Sequence, residues 1–192
     1  DLHRICNTVW HQHDGGEFPG TLSVSVTKDP ESGVLNAGIY RMHTLSRNTL
    51  GWGAPEYTHG RQHYMKYEKL GKPMPMAVIT GYDPTVFICA STRTPPDVDE
   101  FQIAGALRGE PLDMVKCQLS DIVVPATSEW VFEGVVRPGV RKIEGGFGEY
   151  TGYYGEARSN PVFEVQRITH REKPIFLGAR EQWYPSDSAL SV

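Results

Sequence analysis

Apolar and polar residues alternate over 21–27, where Leu22, Val24 and Val26 interleave with Ser23, Ser25 and Thr27. A period of two predicts a half-buried strand. Asp29-Pro30-Glu31-Ser32-Gly33 predicts a turn and 34–43 a partner strand, so this region reads as a hairpin. Over 57–70 the period lengthens to three and four through His59, His63, Lys66, Tyr67 and Leu70, predicting a helix that Gly71 and Pro73 close. The short apolar runs 77–81 and 85–90 read as buried strands, and 92–97 as a proline loop. A second helix is predicted over 98–108, with Ile103, Ala104 and Leu107 as its core stripe. The segments 114–119, 122–124, 130–136 and 162–169 are further strand candidates. Two helices and roughly eight short strands predict an α+β fold, mainly β, as a closed or split barrel with a few flanking helices.

Composition narrows the function classes. At 192 residues the chain has room for one core, and 1–192 reads as a single domain. A net charge of −4, with 22% charged residues and no basic run, gives no footing for nucleic acid. No apolar run approaches the roughly 20 residues of a membrane helix. Cys6, Cys89 and Cys117 are widely spaced and read as buried thiols in a reducing, cytoplasmic setting. The chain opens on Asp1 without a signal-like segment and closes on a short polar tail, 185–192, so it is expected to be a fragment or subunit of something longer.

The densest candidate chemistry lies in Ile143-Glu144-Gly145-Gly146-Phe147-Gly148-Glu149-Tyr150-Thr151-Gly152. Four glycines permit close backbone approach, Phe147 and Tyr150 supply walls, and two carboxylates in such a pocket acquire different pKa values. A glycine turn carrying solvated glutamates is the plainer alternative. On the second arm of the predicted hairpin, Asn36 and Arg41 have opposite parity, and a bulge at Gly38 would re-aim one of them toward a shared site. His11, His13 and Asp14 crowd before Gly15-Gly16, either as a metal site or as a hydrogen-bonded turn. His59 and His63 are spaced for one helix face, which suits a metal or a wet surface equally. Glu100 lies on the apolar stripe of the second helix, where a buried carboxylate calls for a cation, unless it serves as a first-turn glutamate.

Several blocks, in order along the chain, resemble the central domain of the UbiD-like decarboxylases that use prenylated FMN. They include Asn36-Ala37-Gly38-Ile39-Tyr40-Arg41, Gly81-Tyr82-Asp83-Pro84, Glu100 with 104–109, Val124-Pro125-Ala126, Val131-Phe132-Glu133-Gly134 and Ile168-Thr169-His170-Arg171. The resemblance implies a split β-barrel of the flavin-binding type. It places a divalent metal, manganese or magnesium, on Asn36, His59 and Glu100, the cofactor also against Ile39, Tyr40, Arg41 and Thr58, and a potassium ion near Ala90-Ser91. By the same resemblance Arg41, Glu144 and Glu149 are catalytic. Arg41 orients a substrate carboxylate, Glu144 holds Arg41, and Glu149 donates the proton after carbon dioxide leaves.

The implied activity is reversible, non-oxidative decarboxylation of an aromatic, heteroaromatic or α,β-unsaturated acid. A flavin prenyltransferase would supply the cofactor. Gly146 departs from the proline usual in the family, which is expected to loosen the acid loop. The family's carboxyl-terminal domain, which closes over substrate and builds the oligomer, lies outside this sequence, as does a lysine it contributes. A non-catalytic flavin- or metal-binding subunit is the alternative, and a hydrolase built on His11, His13 and Asp14 is a distant third.

Overall fold

The strand predicted from period two forms as β1 (Val24–Lys28), in a computed structural model that describes residues 1–180; the polar tail 185–192 lies outside the described residues. β1 is not half-buried. It runs antiparallel between β2 (Leu35–Ile39) and β5 (Met74–Thr80), and Val24, Ser25, Val26 and Thr27 are all fully buried. Its hydroxyls therefore need partners. Trp52 Nε1 donates to Ser25 Oγ at 3.2 Å, and Thr27 Oγ1 lies 2.9 Å from His63 Nδ1.

The remaining strands and α-helices are β3 (Met42–Ser46), β4 (Thr49–Trp52), α1 (His59–Lys69), α2 (Pro84–Ser91), α3 (Glu100–Arg108), the short pair β6 (Met114–Lys116) and β7 (Val123–Pro125), and the long strands β8 (Trp130–Glu144) and β9 (Arg158–His170). Seven strands form one antiparallel sheet in the order β2-β1-β5-β8-β9-β4-β3. Two cores flank it. Met74, Met76 and Val78 of β5 join Trp52, Tyr64 of α1, Phe132 and Phe163 on one side, while Ala77 and Ile79 join Val86 of α2 with Phe101 and Ala104 of α3 on the other. The fold is thus α+β and mainly β.

Several local expectations change. Segment 34–43 is two strands, β2 and β3, parted by Tyr40 and Arg41. No bulge occurs at Gly38, because β1 and β2 pair in unbroken register. That glycine instead admits the Tyr40 ring, whose hydroxyl would stand 2.6 Å from a Cβ there. The run 85–90 is helical: Asp83 accepts from Thr85 N at 2.9 Å, and Pro84 occupies the first turn. An apolar run of this length carries no periodicity that separates buried strand from buried helix. Of the thiols, Cys89 and Cys117 are buried but Cys6 is exposed. The β3–β4 hairpin went unpredicted.

The link between β2 and β3 shapes the molecule. These strands are opposite edges of the sheet, yet only two residues join them. Three peptide units span at most about 11 Å, so the sheet curls until its edges nearly meet, with Tyr40 and Arg41 at the gap.

Two tests of this architecture follow from its tightest points. A Cβ on Gly134 would lie 1.9 Å from Glu164 O across the β8–β9 ladder, so Gly134→Ala is expected to destabilise the fold by roughly 3 kcal/mol or more, read by urea unfolding. His63 is only 4% exposed. Burial drives its pKa from 6.5 down to about 4; Asp29 opposes this, while Lys66 and His59 add to it. The unfolded chain therefore binds a proton between pH 6.5 and about 4 that the folded chain does not, and stability falls on acidification through that window by up to about 3 kcal/mol. Asp29, held low by Lys66 and the Glu31 and Ser32 amides against the opposing effect of burial, contributes its own loss only at lower pH. Unfolding midpoints at pH 7 and 4.5 measure the slope, and His63→Gln should lessen it.

Candidate active site

Arg41 sits in the gap between the sheet edges and meets both acids of the glycine loop. Its Nε donates to Glu144 Oε1 at 2.5 Å, and its Nη1 donates to Glu149 Oε1. Glu144 ends β8 and is fully buried, while the Glu149 side chain keeps 34% of its exposure. Burial lifts the Glu144 carboxyl above the usual range, with the Arg41 charge and the Arg41 and Asn160 hydrogen bonds working against it. One acid is thus sealed and the other partly open. Phe147 lies under the guanidinium, 5.6 Å from ring centre to Cζ. Gly53 permits the crowding, since a Cβ there would stand 3.0 Å from Arg41 Cγ and 3.1 Å from Glu144 Oε2.

Asn36, His59 and Glu100 come from β2 and from the first residues of α1 and α3. Glu100 is 3% exposed; its Oε2 accepts from Ala37 N at 2.8 Å and its Oε1 from Thr94 Oγ1 at 2.6 Å. Burial raises its pKa, and among the described residues no basic side chain pairs with it. Asn36 is equally buried, and its Nδ2 has no partner. A Cβ on Gly60, beside His59, would lie 3.4 Å from that Nδ2 and 3.1 Å from Tyr40 Oη. The Tyr40 phenol, whose pKa burial raises, is also influenced by Thr58, Asn36 and Glu100. β2 and the starts of α1 and α3 therefore converge around one phenol.

A buried carboxylate without a countercharge is what a small oxygen-preferring cation would satisfy, and the Asn36 amide oxygen can join Glu100 as a donor to it, whereas the unpartnered Nδ2 calls for an acceptor. The residues fit such an ion. α1 also begins without a side-chain cap, because Thr58 Oγ1 donates to Pro55 O at 2.7 Å instead. Its first-turn amides suit an anion. Ile39 closes β2 beside Tyr40, and Ala90 and Ser91 end α2.

Other candidates resolve differently. His63 does not join His59, because its Nδ1 faces Thr27 and its Nε2 lies 3.6 Å from Asp29 Oδ2. His11, His13 and Asp14 form no metal group: among the described residues, no three His, Cys, Asp or Glu side chains are so arranged. The Asp14 oxygens are taken by the amides of Trp10, His11 and Gly148, and His13 packs its exposed ring edge-on to Tyr154. At Gly146 the loop is tied to neighbouring chain, since Gly15 N donates to Gly146 O at 2.8 Å and Gly145 N to His43 Nδ1 at 3.3 Å. Asn160, which donates to Glu144 Oε2, was missed. It reaches the acid only because the β8–β9 register shifts between Val136 and Arg141, a feature without local sequence signal.

A curled antiparallel sheet with an arginine held between two acids, beside a buried carboxylate and amide, defines a family that the comparisons identify. Residues 1–181 match the profile described as UbiD, 3-octaprenyl-4-hydroxybenzoate carboxy-lyase Rift-related domain, and the chain belongs to that family. An uncharacterised protein of Archaeoglobus fulgidus is 42% identical over 164 residues, which is 85% of this chain and 34% of that protein. An evolved dimeric form of the UbiD-class enzyme HmfF from Pelotomaculum thermopropionicum, in complex with prFMN, superimposes with a TM-score of 0.87 at 38% identity, over 92% of this chain and 41% of that one. Vanillic acid decarboxylase of Sedimentibacter hydroxybenzoicus in open form gives 0.89 at 34% identity, over 100% and 41%. This chain therefore spans about a third to two fifths of these relatives. Among the described residues no helix is long and apolar enough to cross a membrane.

Proposed function

We propose that this chain is the flavin-binding part of a cytoplasmic carboxy-lyase acting on an aromatic, heteroaromatic or α,β-unsaturated acid, reversibly and without net oxidation. The observation that carries the reading is one guanidinium joining a sealed acid to an open one. The sheet would serve as a split barrel. Asn36, His59 and Glu100 would hold manganese or magnesium, with Ile39, Tyr40, Arg41 and Thr58 against the flavin, the bare start of α1 near its phosphate, and potassium by Ala90-Ser91. Prenylated FMN, when bound, would supply an electron sink for carbon dioxide loss.

Everything else falls to side chains. Arg41 would grip the substrate carboxylate, which a planar guanidinium matches in two-pronged fashion at any working pH. Glu144 holds Nε and so fixes the plane of that fork, while Phe147 screens it from water. Glu149, partly open to solvent, would take up a proton and deliver it to the carbon that has lost its carboxylate. Further domains would close the pocket and build an oligomer, and a flavin prenyltransferase would supply the cofactor. The test is the complete protein, produced with that enzyme and offered labelled carbon dioxide with a panel of such acids. Exchange that requires Glu149 supports the reading, and no exchange with any acid refutes it.

A further inference from the structure

The Asp14 side chain is fully shielded from solvent, and its oxygens bind two stretches of chain that lie far apart in sequence. Oδ2 accepts from Trp10 N at 3.1 Å and His11 N at 2.9 Å, and Oδ1 accepts from Gly148 N at 2.9 Å, next to Glu149. The His11 ring, with Nδ1 3.3 Å from each Asp14 oxygen, stands edge-on to Phe147 and Tyr154 at 5.6 and 6.3 Å between centres. His13 N donates to Tyr154 Oη at 3.2 Å. The backbones themselves touch: a Cβ on Gly15 would lie 2.4 Å from Gly145 Cα, and one on Gly148 would lie 2.6 Å from His11 Nδ1. Here the glycines are required by close approach, since none of the three has positive φ.

We propose that Asp14 is a positioning residue that clamps the loop bearing the candidate proton donor, doing through space what a proline at 146 would do through the backbone. A carboxylate accepting amide hydrogen bonds from both sides is a strong, directional tie. It connects Trp10 and His11 to the residue before Glu149 and so restricts where the Glu149 side chain can start. Phe147, packed on Phe18 at 4.6 Å between ring centres and lying under Arg41, seats the loop from below. The kinetic consequence rests on Glu149 being the proton donor; the mechanical tie does not.

Amide hydrogen exchange on the complete protein tests the tie, with Asp14→Ala and Asp14→Asn beside the wild type. Exchange at 145–149 is expected to be roughly 10- to 100-fold faster in the Ala variant. The Asn variant, whose single oxygen keeps one side of the clamp, should lie between, and β5 should be unchanged in both. In the complete enzyme, kcat should fall at constant KM for Asp14→Ala, with partial recovery in Asp14→Asn. Wild-type exchange at 145–149 in both variants overturns the proposal, and so does equal acceleration in β5, which marks general loosening. Should the Ala variant not fold, the Asn variant decides by the same comparison. If Glu149→Gln proves fully active while the exchange result holds, the donor assignment falls and the clamp stands.

Discussion

Glu149→Gln is expected to lower turnover of the complete enzyme by about a thousandfold, within the range that a positioned general acid contributes, while KM for the acid stays within about threefold. The substitution is nearly isosteric, and its amide oxygen can still accept from Arg41 Nη1, as the Glu149 carboxylate does. It cannot carry a transferable proton. The pocket and the Arg41 fork thus persist and only the protonation step is starved. Initial rates with flavin absorbance decide it: loss of turnover with cofactor retained is the expected pair. Turnover within severalfold of wild type would remove Glu149 from the chemistry.

Glu100→Gln and His59→Ala should each weaken manganese binding by roughly 100-fold or more, as removal of one of three protein donors implies. His13→Ala, in the exposed loop once weighed as a metal site, should leave it unchanged. The Glu100 variant has a second signature. Burial already disfavours its charge, and no described base offsets it; an uncharged amide that can still accept from Ala37 or Thr94 removes that cost. The metal-free variant should therefore unfold no lower than wild type, while the rise in Tm that manganese gives the wild type disappears. Calorimetric titration and melting curves with and without manganese measure both. Unaltered affinity would disprove the assigned donor set.

What could be read from the residues followed from local rules. Proline and glycine at 71, 73, 109 and 111 mark where the two longer helices stop, because one cannot continue a helix and the other turns it off. Glu100 stood out as a carboxylate on a predicted apolar stripe and is indeed 3% exposed, although the buried face is formed with Phe101, Ala104 and Gly105, and Leu107 of the predicted stripe is 59% exposed. The two acids of the glycine loop differ in environment because one ends a central strand and the other lies beyond it.

Segment 85–90, read as a buried strand from its short and largely apolar run, is a helix whose start Asp83 and Pro84 mark. Other features had no local signature. The halt at Tyr40-Arg41 arises where the two edges of the curled sheet come near each other, a property of the whole sheet and not of those two residues. Asp14 meets Gly148 across 134 positions, and Asn160 meets Glu144 through a shift in register. By itself, then, the sequence determined the two longer helices and most of the strands, though not the β3–β4 hairpin or the helix over 84–91, and, through ordered blocks of residues, the family. Only the tertiary structure decided which side chains face one another. Backbone preferences act over a few residues, whereas Arg41 reaches both glutamates only after the sheet has curled.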